Sequence, residues 1–177
     1  MSKNIIIQCS TKNSASVVLI NILHGLLSDL EPVKFIDRYS IKQIKELIDN
    51  TDIPILKTHI CNLNSWINHF KEYNLIFICS DNNSNKITTN CKNTVIIDNT
   101  KLITSESNTP ETIIDYVINE IKSLLPANYI LNKESCIKRL NNMFLLYNDI
   151  KNKPFSYVDT FFHIHGSHNS TEKIIEI

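Results

Sequence analysis

The sequence predicts a three-layer α/β protein, with a mostly parallel sheet of about five strands and helices on both faces. Three observations lead there. Short β-branched apolar runs alternate along the chain with longer segments whose apolar residues recur at helical spacing. Most of the short runs are continuously apolar, as expected of strands covered on both sides. A length of 177 residues with 42% hydrophobic content suits one core, so a single domain over residues 1–177 is expected.

Taken in order, residues 4–9 hold three consecutive isoleucines and read as a buried strand. A polar turn at residues 10–13 leads into a helix carrying Val17, Val18, Ile20, Leu23, Leu26 and Leu27 on its apolar positions. Asn13 or Ser14 is the expected N-cap, and Gly25 sits near the helix end. Residues 32–37 form a second strand, and Ser40 caps a helix running through Asp49. Residues 52–57 form a third strand that ends in Lys57-Thr58-His59. A helix over residues 63–71 precedes the clearest strand, residues 74–79. Residues 81–92 form a polar loop, long enough to suggest a functional or mobile segment. A fifth strand covers 94–98. The helix over 110–125 opens with Thr109 as cap, Pro110 in its first turn and Glu111 beside it. Residues 133–150 form the last helix, followed by an aromatic and His-rich tail from Pro154.

Composition narrows the function. Lys plus Arg and Asp plus Glu both number 18, so the excess positive charge that drives non-specific nucleic-acid binding is missing. With two glycines in all, glycine-rich phosphate loops of the Walker A and dinucleotide kinds are excluded. Five cysteines (Cys9, Cys61, Cys79, Cys91 and Cys136) show no C-x-x-C pair, so they read as reduced thiols. No signal-peptide pattern or bilayer-length apolar run is present. A cytoplasmic protein with no nucleic-acid or membrane partner is expected.

In parallel α/β sheets, ligands bind beyond the carboxyl ends of the strands. Three polar segments fall there: residues 10–16, 57–59 and 80–89. The first is a strand–turn–helix unit with Lys12 just before the helix. It reads either as an ordinary connection with a solvated lysine, or as an anion site made from helix-start amides and a cation. Lys57 and His59 bring a cation and a general base to one strand end, unless His59 is merely structural. His163, His165 and His168 form an H-x-H-x-x-H run. It reads as a loop near the site mouth in preference to a metal site, because no Cys, Asp or Glu joins it at ligand spacing.

With these segments identified, the chain resembles the nucleotide-dependent sulfotransferases, whose fold is P-loop NTPase-like. Ser10-Thr11-Lys12-Asn13-Ser14-Ala15-Ser16 stands where that family carries Tyr-Pro-Lys-Ser-Gly-Thr-Thr. The family's Lys-Thr-His motif is intact at Lys57-Thr58-His59, and Ile76-Phe77-Ile78-Cys79-Ser80-Asp81 stands for the strand that ends in Val-Arg-Asp. The resemblance implies sulfuryl transfer from 3′-phosphoadenosine 5′-phosphosulfate to a hydroxyl or amine acceptor, without a metal. It implies that His59 is the catalytic base and that Lys12 and Lys57 stabilise the transferring group. Lys12, Asn13, Ser14, Ala15 and Ser16 would cradle the 5′-phosphate, while Ser80 and Thr88 stand where the family holds the 3′-phosphate. The chain departs from the family at Asn13, at Ala15, at Ser80 in place of arginine, and in a shortened segment between the fourth and fifth strands. A hydroxyl does not replace a guanidinium fork. The alternative is therefore a catalytically inactive P-loop-like module that binds a nucleotide or a protein. A nucleotide kinase fits less well, because no Gly-Lys-Ser/Thr element is present.

Overall fold

Five strands form one parallel sheet in a computed structural model that describes residues 2–10, 15–28, 31–60, 62–81, 91–103, 105, 108–153 and 158–165. They are β1 (Asn4–Ser10), β2 (Lys34–Phe35), β3 (Ile55–Thr58), β4 (Asn74–Asp81) and β5 (Thr94–Asp98), in the spatial order β2-β3-β1-β4-β5. β1 is central and pairs with both β3 and β4, with Gln8 opposite Lys57 and Ser10 opposite Ser80. The expected strand at residues 32–37 shrinks to Lys34–Phe35, because β2 is an edge strand held through two positions of β3. β4 instead runs past its expected end at residue 79, because Ser80 and Asp81 still find partners on β5.

Among the described residues, five α-helices cover the sheet: α1 (Ser16–Leu27), α2 (Ile41–Asp49), α3 (Leu63–His69), α4 (Pro110–Ile121) and α5 (Lys133–Ile150). Strand side chains alternate between the two faces. Ile6, Ile55, Ile76, Ile78 and Ile97 join the cluster built by α1, α4 and α5. Ile5, Ile7, Leu56, Leu75 and Phe77 join the one built by α2 and α3. The three-layer architecture follows directly. Ser40 caps α2 through a reciprocal box with Gln43. Thr109 caps α4 ahead of Pro110, and that helix ends at Ile121, four residues short of its expected end. α1 starts at Ser16 with Ala15 as N-cap; Asn13 and Ser14, the expected caps, lie outside the described residues. The His-rich tail contributes a small antiparallel pair, β6 (Val158–Asp159) and β7 (Ile164–His165). Cys9, Cys79 and Cys136 are buried and Cys91 is half-buried. No described helix is long and apolar enough to cross a membrane.

Gly25 allows α1 and α5 to meet closely. A β-carbon there would lie 2.6 Å from the Cys136 α-carbon, a backbone atom that cannot step aside.

His24, one residue earlier, is buried, and neither ring nitrogen makes a well-formed hydrogen bond among the described residues, with only a weak upward pull from the Ser28 backbone. Burial, and then the positive charge of Arg139, lower its imidazole from 6.5 to about 3. Between those values the unfolded chain takes up a proton that the folded one refuses, so stability falls on acidification with a slope approaching about 1.4 kcal/mol per pH unit. Urea unfolding at pH 6.5, 5.5 and 4.5 should show this as a difference between the native protein and His24→Leu. Parallel pH dependences in the two proteins would remove His24 as the cause.

Candidate functional site

The connections leaving β1 and β3 pass over opposite faces, since α1 packs with one cluster and α3 with the other. The switch point of the sheet therefore lies at the carboxyl ends of these two adjacent strands, where sheets of this kind usually form a ligand crevice. Side-chain alternation sends Gln8, Ser10, Lys57 and Ser80 to the α1 face along with Ile6, Ile55 and Ile78. A polar cluster thus forms at the sheet edge where the rest of that face is apolar.

Within it, the Gln8 side-chain amide donates to Ser10 Oγ, which lies 2.7 Å from Ser80 Oγ and accepts the Ser80 backbone N–H at 3.3 Å. All three residues are fully buried, and Gln8 Oε1 finds no hydrogen-bond partner. Ser80 therefore faces inward onto Ser10.

Lys57 is 1% exposed. Burial pulls its ammonium down from 10.5 to about 7, against an upward pull from the Asp37 carboxylate. None of the ion pairs among the described residues involves it, and its Nζ lies 6.0 Å from the centre of the Phe35 ring. A buried cation without a paired carboxylate is costly to keep. It is the kind of group an incoming anion would satisfy.

His59 is half-buried just past β3, and its Nδ1 lies 3.0 Å from the Ser10 carbonyl oxygen. A carbonyl only accepts, so Nδ1 carries a proton, and in the neutral ring Nε2 keeps a lone pair. That is the tautomer a general base needs. Asp37, after β2, fastens this turn: it accepts the His59 backbone N–H at 3.1 and 3.2 Å and the Thr58 hydroxyl at 2.6 Å. Thr58 Oγ1 in turn accepts the Ile60 N–H at 2.9 Å. Asp37 escaped the sequence reading because it lies 22 residues from His59 and belongs to no motif.

Above the switch point, Ala15 adopts φ 54° and ψ 30° immediately before α1. A left-handed alanine costs about 1 kcal/mol, and such outliers concentrate where the backbone has work to do. A left-handed residue followed by a right-handed one turns successive N–H groups towards a common point. Among the described residues, no side chain caps α1 and its first turn holds no acidic residue; the first-turn amides of any helix have no intrahelical partner.

Of the residues singled out in the sequence, the structure gathers Lys57, His59 and Ser80 at the carboxyl edge, with Ala15 and Ser16 at the start of α1. Lys12, Asn13, Ser14, Thr88 and His168 lie outside the described residues, and of His165 only the backbone is described. His163 packs its ring on Phe35, with centroids 4.7 Å apart. Among the described residues, no group of three His, Cys, Asp or Glu side chains is arranged to hold a metal ion. In comparisons with known proteins, no family model, curated protein or solved structure matches this chain.

Proposed function

We propose that this chain is a sulfotransferase-like enzyme that takes a sulfuryl group from 3′-phosphoadenosine 5′-phosphosulfate to a hydroxyl or amine acceptor. The observation that carries this reading is the bond from His59 Nδ1–H to the Ser10 carbonyl. It ties the base to the first residue of the strand–helix loop and leaves Nε2 to accept a proton. In the reaction, Nε2 takes the acceptor's O–H or N–H proton as the acceptor atom attacks sulfur. The bond from sulfur to the phosphate oxygen breaks, and adenosine 3′,5′-bisphosphate leaves. Lys12 and Lys57 offset the charge that develops on the transferring group, and the amides of Asn13, Ser14, Ala15 and Ser16 hold the 5′-phosphate.

A second reading, a P-loop-like module that binds a nucleotide or a protein without catalysis, has one observation in its favour. Ser80 is neutral, buried and bonded to Ser10, so it offers nothing equivalent to an arginine for the 3′-phosphate.

Calorimetric titration with adenosine 3′,5′-bisphosphate and adenosine 5′-phosphate, alongside transfer of labelled sulfuryl groups to pooled phenols, sugars and amines, tests both readings. The enzyme reading expects saturable bisphosphate binding, weakened by Lys12→Ala and by added salt, together with transfer to an acceptor in the pool. Binding with no transfer favours the module. Absence of nucleotide binding, with affinity unchanged in Lys12→Ala for any anion that does bind, removes the phosphate-cradle role.

A further inference from the structure

Lys57 stands in the sheet between Gln8 of β1 and Phe35 of β2, its partners in register. Partners in register turn their side chains to the same side of a sheet, and Lys57 Nζ lies 6.0 Å from the centre of the Phe35 ring. β2 is the edge strand, so no further strand shields Phe35 from outside. The tail hairpin covers it instead. The N–H of Val33, one residue before β2, donates to the Phe161 carbonyl at 2.9 Å. The His163 ring rests on the Phe35 ring with centroids 4.7 Å apart, and Ile164 is buried in the cluster that α1, α4 and α5 build on this face. With this cover in place Lys57 is 1% exposed.

The hairpin has little hold of its own. A pair of two-residue strands is marginal by itself, and among its described side chains only Ile164 is buried. Its turn closes through the Phe162 N–H, which donates to Asp159 Oδ1 at 2.8 Å. Polar bonds from two helices fasten it. Nη2 of the buried Arg139 on α5 donates to the Phe161 carbonyl at 3.3 Å, and Asn21 Nδ2 on α1 donates to the Phe162 carbonyl at 2.8 Å. The guanidinium also lies 4.6 and 5.3 Å from the ring centres of Phe161 and Phe162. His163 sits at φ 55°, a left-handed backbone whose cost is relieved once the hairpin lifts.

The rest of the fold does not hang on these contacts. α1 and α5 meet directly at Gly25 and Cys136. Arg139 has two partners outside the hairpin, Asn21 Oδ1 at 3.0 Å from Nε and the Glu31 carbonyl at 3.1 Å from Nη1. A segment with one buried side chain, a few polar bonds and a strained residue belongs to the parts of a protein that open without global unfolding. We propose that the tail hairpin is a strap over the edge of the sheet, latched by Arg139 and Asn21, and that its release, with the layers still packed, is the motion that uncovers Lys57. The proposal goes beyond the functional reading, because it concerns how the amine is reached and needs no particular ligand.

The test is pulse acetylation of the full chain with an N-hydroxysuccinimide ester, read at each lysine by peptide mass spectrometry, at urea concentrations below the unfolding transition. Exposed Lys42 is the reference. An uncovered Lys57 reacts as an ordinary amine, so its rate relative to Lys42 measures the open fraction. Lys57 should label more slowly than Lys42, yet at least about tenfold faster than the globally unfolded fraction allows. Its rate should change little with urea, because lifting the strap exposes little surface, whereas labelling through global unfolding rises steeply. Asp159→Ala removes the bond that closes the hairpin turn and leaves Arg139 and Asn21 in place. It should speed Lys57 labelling about tenfold, the size of one hydrogen bond to a charged group, with Lys42 unchanged. Arg139→Lys should also speed it, through loss of the planar fork; if that variant does not fold, Asp159→Ala decides. Lys57 labelling that tracks the unfolded fraction and its urea dependence overturns the proposal. So does a native rate equal to that of Lys42, and so does a Lys57 rate unchanged in Asp159→Ala. No anion enters the experiment, so its failure is distinct from failure of the nucleotide titrations that test the enzyme reading.

Discussion

Lys57→Met is expected to stabilise the protein by roughly 3 kcal/mol at pH 7, a rise in Tm on the order of 10 °C, while removing anion binding. The ammonium is pulled from 10.5 in the unfolded chain to about 7 in the fold. At about 1.4 kcal/mol per unit, holding a proton there costs on the order of 4 kcal/mol with the Asp37 attraction already included, and the side chain's own packing returns part of it. Methionine has a similar length and no charge to desolvate. Because the folded value lies below the unfolded one, the unfolded chain binds the extra proton between pH 7 and 10.5. Native stability should therefore rise across that window, and below pH 7 the full cost should persist. Denaturant unfolding of both proteins at pH 6, 7, 8.5 and 10 checks this, since other titrating groups cancel in the difference. A variant less stable than the native protein, or a difference that stays constant with pH, would show that Lys57 is satisfied where it sits. The expected pattern, in which stability gained accompanies binding lost, marks a residue kept for a ligand and not for the fold.

His59→Ala is expected to lower sulfuryl transfer by about 10²–10⁴-fold, the usual contribution of a positioned general base, with nucleotide affinity nearly unchanged. The backbone half of the site should survive the substitution. Asp37 holds the turn through the His59 main-chain N–H and the Thr58 hydroxyl, neither of which depends on the imidazole. The ring's own bond to the Ser10 carbonyl is lost, which frees a main-chain acceptor that water can reach at a half-buried site. Transfer kinetics with the labelled donor, paired with bisphosphate titration of the same variant, separate the two effects. Turnover equal to the native protein's would end the catalytic role of His59 and leave the binding module as the better account.

Most of the element order was legible because it rests on local periodicity and caps. α5 and β5 begin and end where their apolar patterns do, and α2 starts directly after Ser40, whose side chain closes its capping box. Boundaries that depended on partners were not legible. β2 is shorter than its apolar run and β4 longer, in each case because pairing with the neighbouring strand decides where a strand stops. The candidate site divides the same way. Lys57 and His59 stood out as a cation and an imidazole at a strand end, but nothing local indicated that Lys57 would be buried or that His59 would bond to Ser10.

By itself, the sequence determined the layered α/β class, the helix and strand order, and the expectation that polar residues would meet at the carboxyl edge. These follow from spacing along the chain, which sets the face each side chain takes. Only the tertiary structure decided that Ser80 turns inward to Ser10, that Asp37 rather than a motif residue fastens His59, and that Arg139 and Asn21 carry the tail back to Phe35. Each of these contacts joins residues between 22 and 141 positions apart. Periodicity carries no information at that range, because the pairing is chosen by which packed faces and buried polar groups satisfy one another once the layers have closed.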